Sequence, residues 1–245
     1  MQMTGNQPDT GKPFIIGLIP ARGGSKGIPR KNIRLLGDRP LLNYTIEAAL
    51  ASNCLSQVFT STEDAEIAII ARKAGSEVID RPPGLALDET LTLPVVQHAV
   101  RIVENEYNRR LDYVVVMQAT TPFRNSQDID NAVRKLVLTG ADSVVSVCQV
   151  TDVHPWKLKR IVDDQLIPYS EKEIEGTRRQ DLPPAYIRNG GIYAMRRDVA
   201  MLQNSMFGND CRPYLMPFER SIDINSKMDF ILAEIVLKGG INSGL

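Results

Sequence analysis

Short runs rich in valine and isoleucine alternate along this chain with longer stretches in which apolar residues return every three or four positions. The short runs, at 14–19, 58–62, 78–79, 113–117 and 144–150, are almost continuously apolar, as strands covered on both faces are. The longer stretches, at 41–51, 65–74, 93–107 and 129–138, have helical spacing. Ser126-Gln-Asp places a capping residue and an acid at the start of the last of these helices. This rhythm predicts a mostly parallel, Rossmann-like α/β sheet with helices on both faces.

The rhythm breaks between about 151 and 187, where the chain becomes polar and proline-bearing: His154-Pro-Trp, Tyr169-Ser-Glu-Lys and Arg178-Arg-Gln-Asp-Leu-Pro-Pro. This segment reads as an insertion, an arm or a lid. The αβ pattern resumes with a strand at 191–195 and a closing helix at 227–237. Residues 1–13 are polar and rich in Gly, Pro, Gln and Asp, and read as a disordered lead-in. The remainder, 14–245, is expected to form a single α/β domain.

Composition narrows the function classes. Lys+Arg and Asp+Glu balance at 29 each, so no global field draws nucleic acid or an acidic membrane surface, and any attraction for anions is local. No apolar run approaches the ~18 residues that cross a bilayer, and the start lacks the basic and apolar segments of a secretory signal. Cys54, Cys148 and Cys211 are widely spaced, without a C-x-x-C pair, and read as buried thiols in a reducing compartment. A soluble cytoplasmic protein is expected.

The first strand leads directly into Pro20-Ala-Arg-Gly-Gly-Ser-Lys-Gly-Ile-Pro-Arg-Lys-Asn32. In open α/β sheets ligands bind beyond the carboxyl ends of the strands, which is where this loop lies. Gly23, Gly24 and Gly27 let backbone approach a ligand and turn N–H groups toward an anion. Arg22, Lys26, Arg30 and Lys31 add positive charge, and together these residues describe a triphosphate cradle. Neither the G-x-x-x-x-G-K-[ST] order of a P-loop nor the G-x-G-x-x-G dinucleotide fingerprint is present. A solvated basic turn is the alternative for the loop taken alone.

Further segments occur in order: Ser61-Thr-Glu-Asp64, Arg81-Pro-Pro-Gly-Leu-Ala-Leu-Asp88, Gln118-Ala-Thr-Thr-Pro-Phe-Arg124, Arg179-Gln-Asp-Leu-Pro183, Asn189-Gly-Gly-Ile-Tyr193 and Asp223-Ile-Asn225. With Ile19-Pro-Ala-Arg-Gly-Gly-Ser-Lys-Gly-Ile-Pro-Arg-Lys-Asn32, they make nearly the whole chain resemble the acylneuraminate cytidylyltransferases and their legionaminic, pseudaminic and octulosonic acid relatives. The resemblance implies transfer of CMP from CTP to the anomeric hydroxyl of an acidic nine-carbon sugar, with Mg²⁺, for cell-surface polysaccharide biosynthesis. It also implies a homodimer, with the 151–187 arm reaching a neighbouring subunit.

Carried over by residue, the resemblance assigns the loop Ala21, Arg22, Gly23, Gly24, Ser25 and Lys26 to the nucleotide phosphates. It places Lys31 nearest the reacting α-phosphate, with Asn32 as a further nucleotide partner. Arg81 and Thr92 correspond to positions near the cytidine, although Arg81-Pro-Pro reads equally as a surface turn before a helix cap. Gln118 faces the sugar in the family, and a plain turn is the other reading. The family pattern there is Gln-Pro-Thr-Ser-Pro, from which Ala119 and Thr121 depart. Lys157, Arg179, Asn189 and Tyr193 correspond to the acid-sugar side, with Arg179 the chosen carboxylate partner. Lys157 reads equally as surface charge and Tyr193 as a core aromatic.

Where relatives carry Asp-x-Asp for the metal, this chain has Asp223-Ile-Asn225. The amide keeps an oxygen donor and loses a charge, which leaves weaker affinity, a missing second metal or altered selectivity open. Asp223 as a cap of the final helix is the other reading. A different nucleotide-sugar enzyme and a non-catalytic nucleotide-sugar binder are the competing function classes. His154 and His98 read as a turn residue and a helix residue.

Overall fold

The computed structural model describes residues 11–24, 27–150, 153–171 and 176–239. The chain runs through β1 (Ile15–Pro20), a two-strand ribbon of β2 (Leu35–Leu36) and β3 (Arg39–Pro40), α1 (Leu41–Leu50), β4 (Gln57–Thr62), α2 (Ala65–Lys73) and β5 (Glu77–Asp80). It continues through α3 (Thr92–Tyr107), β6 (Tyr113–Val116), α4 (Ser126–Thr139), β7 (Ser143–Val150), β8 (Lys159–Val162) and β9 (Gln165–Pro168). The last elements are β10 (Ala185–Arg196), α5 (Arg197–Met201), β11 (Cys211–Leu215) and α6 (Lys227–Leu237).

Seven strands form one sheet in the order β11-β7-β10-β6-β1-β4-β5. Pairing is parallel except for β10, which runs antiparallel to both β6 and β7. Side chains alternate across the pleat, so Ile15, Ile19, Val115 and Met117 face α1, α2 and α4, while Ile16, Leu18, Val114 and Val116 face α3 and α5. A third apolar cluster, with Ile28, Leu36, Ile224 and Phe230, seats α6 beside the first loop. Core truncations such as Phe59→Ala, at a fully buried position, are expected to cost about 3–5 kcal/mol.

Local chemistry sets the ends of the elements. Asp64 accepts from the Glu66 and Ile67 amides at the start of α2, and Asn125 forms a reciprocal capping box with Asp128 at the start of α4. The α4 cap is therefore Asn125, one residue before the expected Ser126, because an amide oxygen at 125 and a carboxylate at 128 satisfy one another's amides. Gly140 closes α4 at φ 64°, a conformation glycine adopts freely.

The expected strands and helices fall within a residue or two of the observed ones, except that α4, expected from 129, begins at Ser126, and that one strand differs by more. The strand expected at 191–195 begins at Ala185, inside the segment read as an insertion, and pairs with β7 from Ala185↔Val150 onward. Its first half is exposed, with Tyr186 at 51% and Ile187 at 58%, so no buried-face signal marks it. The β8–β9 hairpin, the β2–β3 ribbon, α5 and β11 are further elements that hydrophobic periodicity did not reveal. The cysteines also differ from expectation. All three are free, yet only Cys148 is buried, because Cys211 opens an edge strand and Cys54 sits half-exposed after α1. Among the described residues no helix is long and apolar enough to cross a membrane.

Candidate active site

The parallel strands β1, β4, β5 and β6 end at one edge of the sheet, and the segments that leave β1, β5 and β6 border a cavity of about 430 Å³. Its walls include Arg22, Gly27, Lys31 and Asn32 from the first loop, Arg81 after β5, Thr92 opening α3, Gln118 after β6, and Asn225. Leu85, Leu87, Leu91 and Val95 add an apolar side.

Each cation at this edge has a defined partner. Lys31 Nζ donates to the Ile224 carbonyl at 2.7 Å, and burial pulls its ammonium below the usual lysine range against the opposing pull of Asp223 and Asp229. The Arg81 guanidinium is buried and donates to the Ser61 hydroxyl at 3.1 Å and carbonyl at 2.5 Å, and burial lowers its pKa. Arg22 is half-exposed and holds the Leu87 carbonyl at 3.0 Å and Asp88 at 2.8 Å. Arg30 differs from its loop neighbours. It pairs with Asp64 and Glu66 at the start of α2 and so braces the loop instead of facing the cavity.

The loop backbone is tightly fitted. Asn32 is buried and its amide donates to the Arg22 carbonyl at 2.9 Å, while the Ala21 amide donates to Ser61 O at 3.0 Å. The Gly23 amide donates to Glu63 at 2.7 Å. A Cβ on Gly27 would stand 2.6 Å from the Asn225 carbonyl, and one on Gly23 would strike Asp64, whereas Gly24 has open space. Ser25 and Lys26 lie outside the described residues.

Beyond β6, the turn 118–124 joins three parts of the edge. The Gln118 amide donates to Gly190 O at 3.3 Å, Thr121 Oγ1 donates to Asn189 O at 2.7 Å, and the Ile224 amide donates to Thr120 O at 2.8 Å. Gly190 sits at φ 73°, where a Cβ would fall 2.5 Å from Gln118 Oε1. Asn189 is buried with both ends of its amide engaged: Oδ1 accepts from Ser146 and Gly191, and Nδ2 donates to Ser221. Tyr193 is half-buried against the α3 side of the core, near the Phe207 ring, with its phenol pKa raised by burial.

Asp223 is not the helix cap, since Ser226 and Asp229 form the capping box of α6. Asp223 Oδ2 accepts from Asn225 Nδ2 at 2.7 Å, while its Oδ1 is buried without a partner among the described residues. One unpartnered carboxylate oxygen beside an amide oxygen suits Mg²⁺, which takes one or two protein oxygens and completes its shell with phosphates and water. Among the described residues no cluster of three His, Cys, Asp or Glu could hold a metal, so these two would be its protein donors.

Lys157 and Arg179 do not line the cavity. Both are exposed on single 3-10 turns of the arm, Pro155–Lys157 and Arg179–Asp181. His154 staples that arm, its ring meeting Pro183 O at 2.9 Å and the Trp156 amide at 3.2 Å. Sequence reading missed Asp88, Glu63 and Arg124 as partners of the site, although each lies inside a motif it quoted.

Comparisons with known proteins give the family and the fold. Residues 16–234 match the cytidylyltransferase family. The chain is 31% identical to the post-translational flagellin modification protein B of Campylobacter coli, over 91% of this chain and 95% of that protein. It is 34% identical to the N-acylneuraminate cytidylyltransferase of Escherichia coli O18:K1:H7 over 89% of this chain, and spans 51% of that protein's length. Among solved structures, CMP:2-keto-3-deoxy-manno-octonic acid synthetase complexed with CTP shares the fold at a TM-score of 0.68 and 16% identity, with 93% of this chain and all of that one covered.

Proposed function

The chain belongs to the cytidylyltransferase family of nucleotidyltransferases, and from that premise we propose that it joins CMP from CTP to the anomeric hydroxyl of a sialic-acid-like nonulosonic acid, releasing pyrophosphate. The observation that carries this reading is the single cavity that gathers the glycine-rich cationic loop, Arg81, Thr92, Gln118 and Asn225. Identities above 30% to an N-acylneuraminate cytidylyltransferase favour a nine-carbon acid over the octulosonic acid of the structural neighbour, whose 16% identity speaks for fold alone.

Phosphoryl transfer depends on positioning and charge neutralisation more than on covalent help. The sugar's anomeric hydroxyl attacks the α-phosphorus in line, its proton passes to solvent, and the bond to the bridging oxygen of the departing pyrophosphate breaks. Arg22, Gly23, Gly24, Ser25 and Lys26 take the phosphates, Lys31 neutralises charge at the α-phosphate, and Asn32 keeps the loop in shape. The Arg81 guanidinium and Thr92 face the cytidine, with the leucine wall against the base. Gln118 orients the sugar, and Asn189 holds the β10 bend that brackets it. Bound Mg²⁺ would supply further charge stabilisation on the phosphates, held by Asp223 and Asn225.

The acid-sugar contacts of Lys157, Arg179 and Tyr193 need a different source. The arm exposes Ile161 at 77%, Leu166 at 66% and Tyr169 at 71%, a surface suited to a second copy of this chain. In a homodimer with the arm as a reach-across element, Lys157 and Arg179 would serve the partner's cavity. A cytoplasmic setting suits an enzyme that uses CTP.

The test is a pyrophosphate-release screen of purified protein with CTP, Mg²⁺ and a panel of nonulosonic and octulosonic acids. Release with a nine-carbon acid is expected. Tight CTP binding with no product from any of them would favour a non-catalytic binder and overturn the proposal.

A further inference from the structure

Arg124 is an unusual residue to find beneath a substrate cavity. It is 2% exposed, and among the described residues no carboxylate meets it at ion-pair distance. A buried cation without a direct counter-ion costs several kcal/mol. Its nearest acid along the chain, Asp128, is already committed: Arg220 takes both carboxylate oxygens at 2.9 Å, and Tyr214 donates to one of them at 3.1 Å.

The guanidinium is instead aimed at one peptide group. Nη2 donates to the Gln118 carbonyl, Nη1 donates to Thr45 Oγ1 at 2.7 Å in the buried face of α1, and Nε has no partner among the described residues. Gln118 is thus held at its carbonyl from below and at its amide by Gly190 O from the side. Fixing both ends of a residue fixes the direction of its side chain, and the Gln118 side chain lines the cavity. The same turn carries Thr120, which binds the Ile224 amide between Asp223 and Asn225.

We infer that Arg124 is a positioning residue of the reaction: its guanidinium clamps the Gln118 carbonyl to Thr45 of α1 and leaves its charge beneath the place where the acidic sugar meets the nucleotide. Burial pulls the Arg124 pKa down, while Asp128 and Asp223 pull it back up, in keeping with a cation whose field reaches the catalytic edge. On the nucleotide side of the cavity, Arg81 is held by Ser61 and makes no contact with this clamp.

The inference rests on the cytidylyltransferase reading, and the experiment separates the two. Steady-state kinetics of wild type, Arg124→Met, Arg124→Lys and Thr45→Val would be read for each substrate in turn, with CTP affinity measured by calorimetry and folding by thermal melts. Arg124→Met is expected to lower kcat/KM for the sugar acid on the order of tenfold or more, the loss of a charge-assisted hydrogen bond. CTP affinity is expected to stay within about threefold of wild type. Thr45→Val should show a smaller loss of the same kind, and Arg124→Lys should recover part of it. Millimolar guanidinium chloride should restore part of the turnover of Arg124→Ala, while urea should not. An active wild type whose Arg124→Met and Thr45→Val variants keep full kcat/KM for the sugar acid would overturn the inference alone. Equal losses toward both substrates, or no guanidinium rescue in a folded Arg124→Ala protein, would overturn it as well. A wild type without turnover toward any acid sugar would overturn the functional reading and this inference with it.

Discussion

The carboxyl edge of the sheet and the arm between β7 and β10 both carry basic residues, yet they hold them in opposite ways. At the edge, Lys31, Arg81 and Arg124 are anchored to named carbonyls and hydroxyls and are largely withdrawn from water. On the arm, Lys157 and Arg179 stand exposed on isolated 3-10 turns, among apolar side chains that also face solvent. The edge is preorganised before any ligand arrives, so its cations lose little freedom on binding. The arm leaves Ile161, Leu166 and Tyr169 open to solvent.

That contrast can be broken most severely at its centre. Lys31→Ala is expected to reduce kcat by about a thousandfold or more while the melting temperature moves little, since the side chain serves charge neutralisation; steady-state kinetics with a thermal melt checks both. Next in size, Gly27→Ala would set a methyl 2.6 Å from the Asn225 carbonyl, a backbone atom that cannot turn aside. The loop and the 223–225 segment must part, and a loss on the order of a hundredfold in kcat/KM for CTP is expected from misplacement of about an ångström.

On the arm the expected effects are smaller and of another kind. Arg179→Ala should raise KM for the acidic sugar about tenfold or more, with KM for CTP unchanged, as loss of a bidentate carboxylate contact does. If the arm serves a partner's cavity, mixing inactive Lys31→Ala with Arg179→Ala subunits should regenerate some fully intact sites, and activity of the mixture above that of either parent is the readout.

The smallest effect sharpens the account of the loop itself. The Arg30 hydrogen bond holds the Asp64 carboxyl below its ordinary value of 3.8. The folded state therefore binds that proton less readily than the unfolded chain does, and the stabilisation is complete well above pH 3.8 and is lost below it, as pH falls on through the lower folded value. Asp64→Asn keeps a good cap but loses the ion pair, for less than about 1 kcal/mol because Arg30 is partly exposed. Thermal melts should show a small gap from wild type at pH 7 that closes below pH 3.8.

Much of the edge was legible in the sequence because its signals are local. A run of valines ending at Val116 and followed by Gln118 announces a strand and the turn beyond it, and the glycines of the first loop announce close backbone approach. Helix α4 was visible from periodicity from Ile129 onward, while its first turn, from Ser126, rests on the Asn125 cap. The first half of β10 was hidden because Tyr186, Ile187 and Arg188 are exposed and lack the alternation that marks a buried face. Arg30 and Arg22 look alike in the loop sequence, and nothing local says that one turns to Asp64 and the other to Asp88. Arg124 was quoted inside a motif without a role, since its partners Thr45 and Gln118 come together only through packing of α1 against the sheet. The identity of the cap of α6, Ser226 and not Asp223, likewise required the position of Asp229.

The most direct measurement is a crystal structure of the protein soaked with CTP and Mg²⁺. Density for the triphosphate against Arg22, Lys31 and the glycines of the first loop, with the base between Arg81 and the leucine wall, is the result this account predicts. A nucleotide bound elsewhere, or that loop left empty at saturating CTP, would contradict it.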